Sequence, residues 1–149
     1  MPDNVTPFRR RPPPKPVQRS GGVSSHRGKA VLTHALTLAA FAMSFFFGAP
    51  PLSYLALAVG VAAAAIALAN RQDAMPWAQT HHEHAVRTLI GGFALWTLSG
   101  LLAFINGAMV IWVIYIRIAL LVWVAIRAGI GLMLAVMRKP IPHPRGPLL

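Results

Sequence analysis

The densest run of chemically capable side chains is Thr80-His81-His82-Glu83-His84, with Arg87 one turn further on. Imidazoles beside a carboxylate are the groups that ligate metals or move protons near neutral pH. His82-Glu83 matches the start of the zinc-binding pattern H-E-x-x-H, but position 86 is Val86, so the second histidine of that pattern is missing. His81 and His84 would share a helix face, yet a metal needs further ligands. The other histidines are His26, His34 and His143, all far away in the sequence, and the chain has no cysteine. No cofactor or metal is implied. The same run has the spacing of a capping box, in which a Thr hydroxyl and a Glu carboxylate satisfy the free amides of a helix start. That predicts a helix beginning near His81, with Glu83 and Arg87 pairing four residues apart.

Two further residues stand out because of the company they keep. Arg117 and Arg127 interrupt an apolar stretch of 30 residues, 108–137, and intramembrane charges are functional candidates by default. Only three acids occur, Asp3, Asp73 and Glu83, and none lies in that stretch. A proton relay or ion pair within the span therefore lacks a partner, and the expectation is that both arginines snorkel to opposite interfaces. His34 falls about one turn into an apolar run, where it reaches the interface or a neighbouring helix. Ser44, Ser53 and Ser99 have no base and orienting group around them in the sequence, so nucleophilic catalysis has no support.

The elements that must position these residues are membrane helices. Hydrophobic residues make up 56% of the 149 and charged ones 11%, against about 25% charged in soluble domains, so the chain is too apolar for water. No charge appears over 30–70, enough for two passes of about 20 residues each, and Gly48-Ala49-Pro50-Pro51 divides them. This predicts helices over 30–47 and 52–69. The second offers Ala58, Gly60, Ala62, Ala64 and Ala65 for close helix packing. A third helix is expected over 81–105, ending at Asn106-Gly107, and a fourth over 112–137. A helix covering all of 108–137 would be about 45 Å long against a hydrocarbon core of about 30 Å. Centring it near Val122 sets each arginine roughly 7 Å from the midplane, with Trp112 and Tyr115 at one interface. The fold class is all-α: four transmembrane helices in two hairpins.

Basic residues orient the bundle. The net charge is +11, and Arg9, Arg10, Arg11, Lys15, Arg19, Arg27 and Lys29 all precede the first apolar run. The same side receives Arg71 and Arg87 of the connector and Arg138, Lys139 and Arg145 after the last helix; the two opposite turns carry none. Such asymmetry places both termini in the cytoplasm, in a bacterial inner membrane. The proline-rich segment 1–29 reads as a disordered tail, and 138–149 as a second cytoplasmic tail. Arg9, Arg10, Arg11, Lys15, Arg19, Arg27, Lys29, Arg138 and Lys139 suit contact with anionic lipid. Arg10 to Pro16 also fits R-x-x-P-x-x-P, a form taken by proline-motif ligands. Nucleic acid is not an expected partner, because the tail lacks interleaved aromatics and no folded reader accompanies it.

The second half carries a resemblance. His82 with Arg87-Thr88 at a helix start, Trp123-x-x-x-Arg127-x-x-x-Gly131, and Arg138-Lys139-Pro140-Ile141-Pro142-His143-Pro144 together resemble a family of small bacterial membrane proteins. That family is distantly similar to the membrane subunit of the chloroplast inner-envelope protein translocon. The resemblance implies four helices; Arg127 and Gly131 occupy matching positions, and no catalytic residue is carried over.

The function these residues point to is that of a non-enzymatic membrane component. It packs helices or binds a partner, which is membrane lipid together with a membrane protein or a second copy of the chain. The alternative is a transporter or channel subunit in which Arg117 or Arg127 faces a polar path in an oligomer, although Thr33, Thr37, Ser44, Thr97 and Ser99 are a thin lining.

Overall fold

The computed structural model describes residues 25–72 and 74–146. The expectations for Arg9, Arg10, Arg11, Lys15 and Arg19, and for the disordered tail over 1–24, lie outside these residues. Four long helices follow in order: α1 His26–Phe46, α2 Leu52–Asn70, α3 Pro76–Ile105 and α4 Val110–Val136, the last preceded by a 3-10 turn at Gly107–Met109. All four are long and apolar enough to cross a membrane, and no strand occurs among the described residues.

The helix starts differ from those expected, for local reasons. Ser25 caps α1 by accepting from the Gly28 amide at 3.0 Å, so Arg27 and Lys29 belong to its first turns and not to a tail. α3 begins at Pro76, where a fixed φ and a missing N–H suit the first helical turn. Thr80 therefore lies inside the helix and caps nothing: its hydroxyl donates to the Trp77 carbonyl at 2.7 Å. The expected capping box is not formed, whereas Glu83 does accept from Arg87 Nε at 2.8 Å and also faces Arg71 at 3.5 Å.

α1 packs on α2, α4 and α3; α3 packs on α2 and α4; α2 and α4 do not touch. The closest approaches are made by glycines. A Cβ on Gly60 of α2 would meet the Phe93 ring at 2.6 Å, and one on Gly92 of α3 would collide with the Phe41 ring. The stripe that α2 turns inward is Ala56, Gly60, Ala63 and Ala67, spaced to stay on one face. Of the small residues expected to serve this purpose only Gly60 is buried, and Ala58, Ala62 and Ala65 face outward. In so uniformly apolar a helix the hydrophobic pattern does not say which face turns inward.

Phe41, Ala63, Leu89, Leu120 and Val124 form the apolar core, with Phe41 stacked on Phe93 at 4.7 Å between ring centroids. Outward, large apolar side chains stand free on all sides: Phe104 is 88% exposed, Ile90 66% and Val61 59%. Such a surface is unstable in water and natural in lipid.

Candidate functional site

One end of the bundle gathers the start of α1, the end of α2, the start of α3 and the end of α4. Lys29 Nζ donates to Asn70 Oδ1 at 2.7 Å, joining α1 to α2. Just inside this end lies a layer of polar side chains that the apolar surroundings have closed off. Thr33, His34 and Thr37 of α1, His81, His82, His84 and Thr88 of α3, and Arg127 of α4 are all buried. Their spacing explains how: 81, 84 and 88 lie on one face of α3, while 33, 34 and 37 share a face of α1.

Arg127 is the centre of the layer and is only 2% exposed. Its Nε donates to Thr88 Oγ1 at 3.0 Å, its Nη1 to the Gly146 carbonyl at 2.7 Å and its Nη2 to His84 Nδ1 at 3.1 Å. The Trp123 ring lies 5.2 Å from the guanidinium carbon. This overturns the expectation that Arg127 snorkels to the interface. Neutral oxygens and nitrogen within the bundle supply what head groups would have supplied, so the side chain turns inward. Three hydrogen bonds and an aromatic face solvate the cation where no carboxylate pairs with it among the described residues.

The histidine tautomers follow from these partners. Arg127 can only donate, so His84 Nδ1 is a lone pair and the proton is on Nε2. His81 Nε2 donates to the Lys139 carbonyl at 2.8 Å. With no acid nearby to favour an imidazolium, His81 Nδ1 accepts from His34 Nε2 at 3.1 Å. Protons in this chain all point one way, from α1 through α3 to the segment after α4. Three buried nitrogens have no hydrogen-bond partner among the described residues: both of His82, and Nε2 of His84. An orphaned buried polar atom costs about 1–3 kcal/mol.

His34 is held with its ring face against α4 at Gly131. A Cβ on Gly131 would collide with its imidazole, so a glycine is required at the position that the sequence pattern places one turn after Arg127. Among the described residues no three of His, Asp and Glu converge where they could hold a metal ion. The lone pairs of His81 and His84 are already directed at His34 and Arg127.

The segment after α4 closes the layer. Arg138 takes φ 55°, a left-handed conformation usual for glycine, and the amides of Arg138 and Lys139 return to Ala135 and Leu134 at 3.1 and 3.0 Å. This reversal sends the chain back across the bundle end. Ile141 is buried there, and its amide donates to Thr80 Oγ1 at 3.0 Å. Residues 138–146, within the stretch expected as a C-terminal tail, are thus a strap over the helices. The side chains of Arg27, Arg138 and Lys139 are exposed.

Arg117 is at the other end of the bundle. Its guanidinium carbon stands 4.7 Å over the Trp96 ring, and its Nε reaches Ser99 Oγ at 3.4 Å. It is half-buried and borders a cleft between the α1–α2 turn and α3.

The sequence therefore named every member of the polar layer, Thr33 and Thr37 only as a thin polar lining and Thr88 only at a helix start, but did not assemble them. A usable signal was present in the i, i+3, i+7 spacing of His81, His84 and Thr88, which makes a polar stripe on a helix that otherwise reads as membrane-spanning. The strap gave no signal, because its bonds use main-chain carbonyls and amides. Comparison with protein-family models, curated proteins and solved structures yields no match.

Proposed function

We propose that this chain is a small non-enzymatic integral membrane protein, a helix-packing and partner-binding component of a bacterial inner membrane. Its helices form two hairpins with both termini in the cytoplasm, and its basic ends meet anionic lipid. The observation that carries the reading is the use made of Arg127: three hydrogen bonds tie it to α3 and to the strap, so the costliest charge in the chain is a fastening within the bundle. A charge lining a transport path needs access to water and a partner that exchanges with solvent. The partner of this chain is a membrane protein or a second copy of the chain, reached through the exposed apolar faces.

The test places a photo-crosslinking side chain at Leu98, which is 60% exposed on α3, in native membranes. A discrete protein adduct is expected, of the chain with itself or with one partner. Adducts with lipid alone would sink the proposal.

A second reading, a transporter or channel subunit, is favoured by one feature, the one-way histidine chain His34–His81–Lys139. It requires that proteoliposomes holding the full chain pass protons or small ions faster than empty vesicles, and that His34→Phe stops the flux. Under the leading reading the vesicles remain tight.

A further inference from the structure

The cleft beside Arg117 is lined by Ser44 and Gly48 at the end of α1, Ser53 at the start of α2, Phe93, Trp96 and Thr97 on α3, and Arg117 itself; it measures about 220 Å³. We propose that this cleft binds a phosphate oxyanion, with Arg117 as the cationic ligand and the hydroxyls of Ser44, Ser53 and Thr97 as neutral donors.

Charge is the first argument. Glu83 is the one carboxylate side chain among the described residues, and it is engaged by Arg87 and Arg71 on α3 and the α2–α3 connector. Arg117 has no such partner among these residues. A half-buried guanidinium facing a cleft creates a local positive potential, and no carboxylate among the described residues neutralises it. Arg127, by contrast, has a donor on each of its three nitrogens engaged by α3 and the strap.

Geometry is the second. The guanidinium carbon lies 4.7 Å from the centre of the Trp96 ring, Nε donates to Ser99 Oγ, and a Cβ on the small Gly100 would come within 3.2 Å of Nη2. These contacts hold the Nε side of the guanidinium and leave its Nη1–Nη2 edge to make the two parallel bonds that suit phosphate. The hydroxyls opposite can donate without adding repulsive charge. At about 30 Å³ per water molecule, the volume is right for a group of several heavy atoms and too small for a large solute.

Depth is the third. Arg117 lies seven residues after the start of α4, about 10 Å along the axis, and Ser44, Gly48 and Ser53 flank the α1–α2 turn. Trp112 and Tyr115, both exposed, stand on the same stretch of α4, as aromatic residues do at a membrane interface. The phosphate that reaches this level comes from an anionic phospholipid head group or from solution, and the chemistry that binds either is the same.

This inference rests on the proposed membrane-embedded reading, and its test is arranged to fail separately. Full-length chain is exchanged into nanodiscs of phosphatidylglycerol and phosphatidylcholine, and lipid retained on ejection is counted by native mass spectrometry. In a second arm, phosphatidylcholine nanodiscs are titrated with inorganic phosphate and followed by thermal stability. Retention of a phosphatidylglycerol that falls about tenfold or more in Arg117→Gln supports the site with lipid as source. A phosphate-dependent stabilisation lost in the same variant supports it with soluble phosphate as source. Arg117→Lys, which keeps the charge but not the fork, is expected to fall between. Ser53→Leu narrows the cleft without touching the arginine and should also lose binding, which guards against a misfolded Arg117→Gln. Unchanged phosphatidylglycerol retention in both Arg117→Gln and Ser53→Leu, with no phosphate response, overturns the site. The partner crosslink from Leu98 is unaffected by either result.

Discussion

Arg127 and Gly131 work as a pair one helical turn apart. The arginine reaches across to α3, and the glycine opens the space into which α1 lowers His34. Replacing Arg127 by Leu leaves Thr88, the His84 Nδ1 lone pair and the Gly146 carbonyl without their donor. Hydrogen bonds to charged groups contribute about 1.5–3 kcal/mol in soluble proteins, while side-chain bonds within membranes average about 0.6. A net loss of about 2–4 kcal/mol is therefore expected, read as a lower midpoint of thermal unfolding in mild detergent. Arg127→Lys should recover only part of it, since an ammonium is a point charge and cannot span three acceptors set apart by a planar fork. Gly131→Ala drives a methyl group into the His34 ring and should cost about 1–3 kcal/mol by overpacking. Stability indistinguishable from the parent in Arg127→Leu would mean that the layer is not what holds this end together.

At the scale of elements, the strap depends on one left-handed residue and one threonine. Arg138→Gly removes the steric cost of its φ of 55° and should raise stability by up to about 1 kcal/mol, after allowing for the greater freedom of glycine in the unfolded chain. Thr80→Val removes the acceptor of the Ile141 amide. Hydrogen exchange at Ile141 should then quicken markedly while exchange in the middle of α1 is unchanged; slow exchange there would show that the strap is held by something else. Both elements expose what could and could not be read from the sequence. The helices were legible because uncharged runs of membrane length admit little else, and because Gly48-Ala49-Pro50-Pro51 and Asn106-Gly107 break them. Helix starts were less so: Thr80 and Glu83 have the spacing of a cap, but Pro76 offers an earlier start and leaves Thr80 free to serve the strap. The inward face of α2 was illegible, since alanines surround that helix. The polar layer was half legible, its residues conspicuous and their union hidden, because His34 and His81 are 47 positions apart and nothing local ties them.

For the whole molecule, the decisive property is the contrast between an exposed apolar surface and a polar layer buried at one end. Reporter fusions at residues 50, 75, 107 and 149 should report outside, inside, outside and inside if the basic end is cytoplasmic. A cytoplasmic signal at 107 would break the four-pass arrangement, and a uniform inversion would put the layer and its strap on the far side. The two arginines of α4 then divide the labour of the bundle. Arg127 is fastened inside at the basic end, and Arg117 stands over an open cleft at the other.

The strap also sets an order of events. Lys139 and Gly146 accept from His81 and Arg127, and Ile141 donates to Thr80, yet all of these follow α4 in the chain. Until the strap is in place, His81 Nε2 and Arg127 Nη1 have only water or lipid head groups to bind, while the other Arg127 donors already reach α3. Because the strap follows every helix in the chain, the bundle end is expected to be sealed last. A chain ended at Met137 should insert all four helices and still remain open to water-soluble cysteine reagents at a Thr88→Cys probe that the full chain conceals.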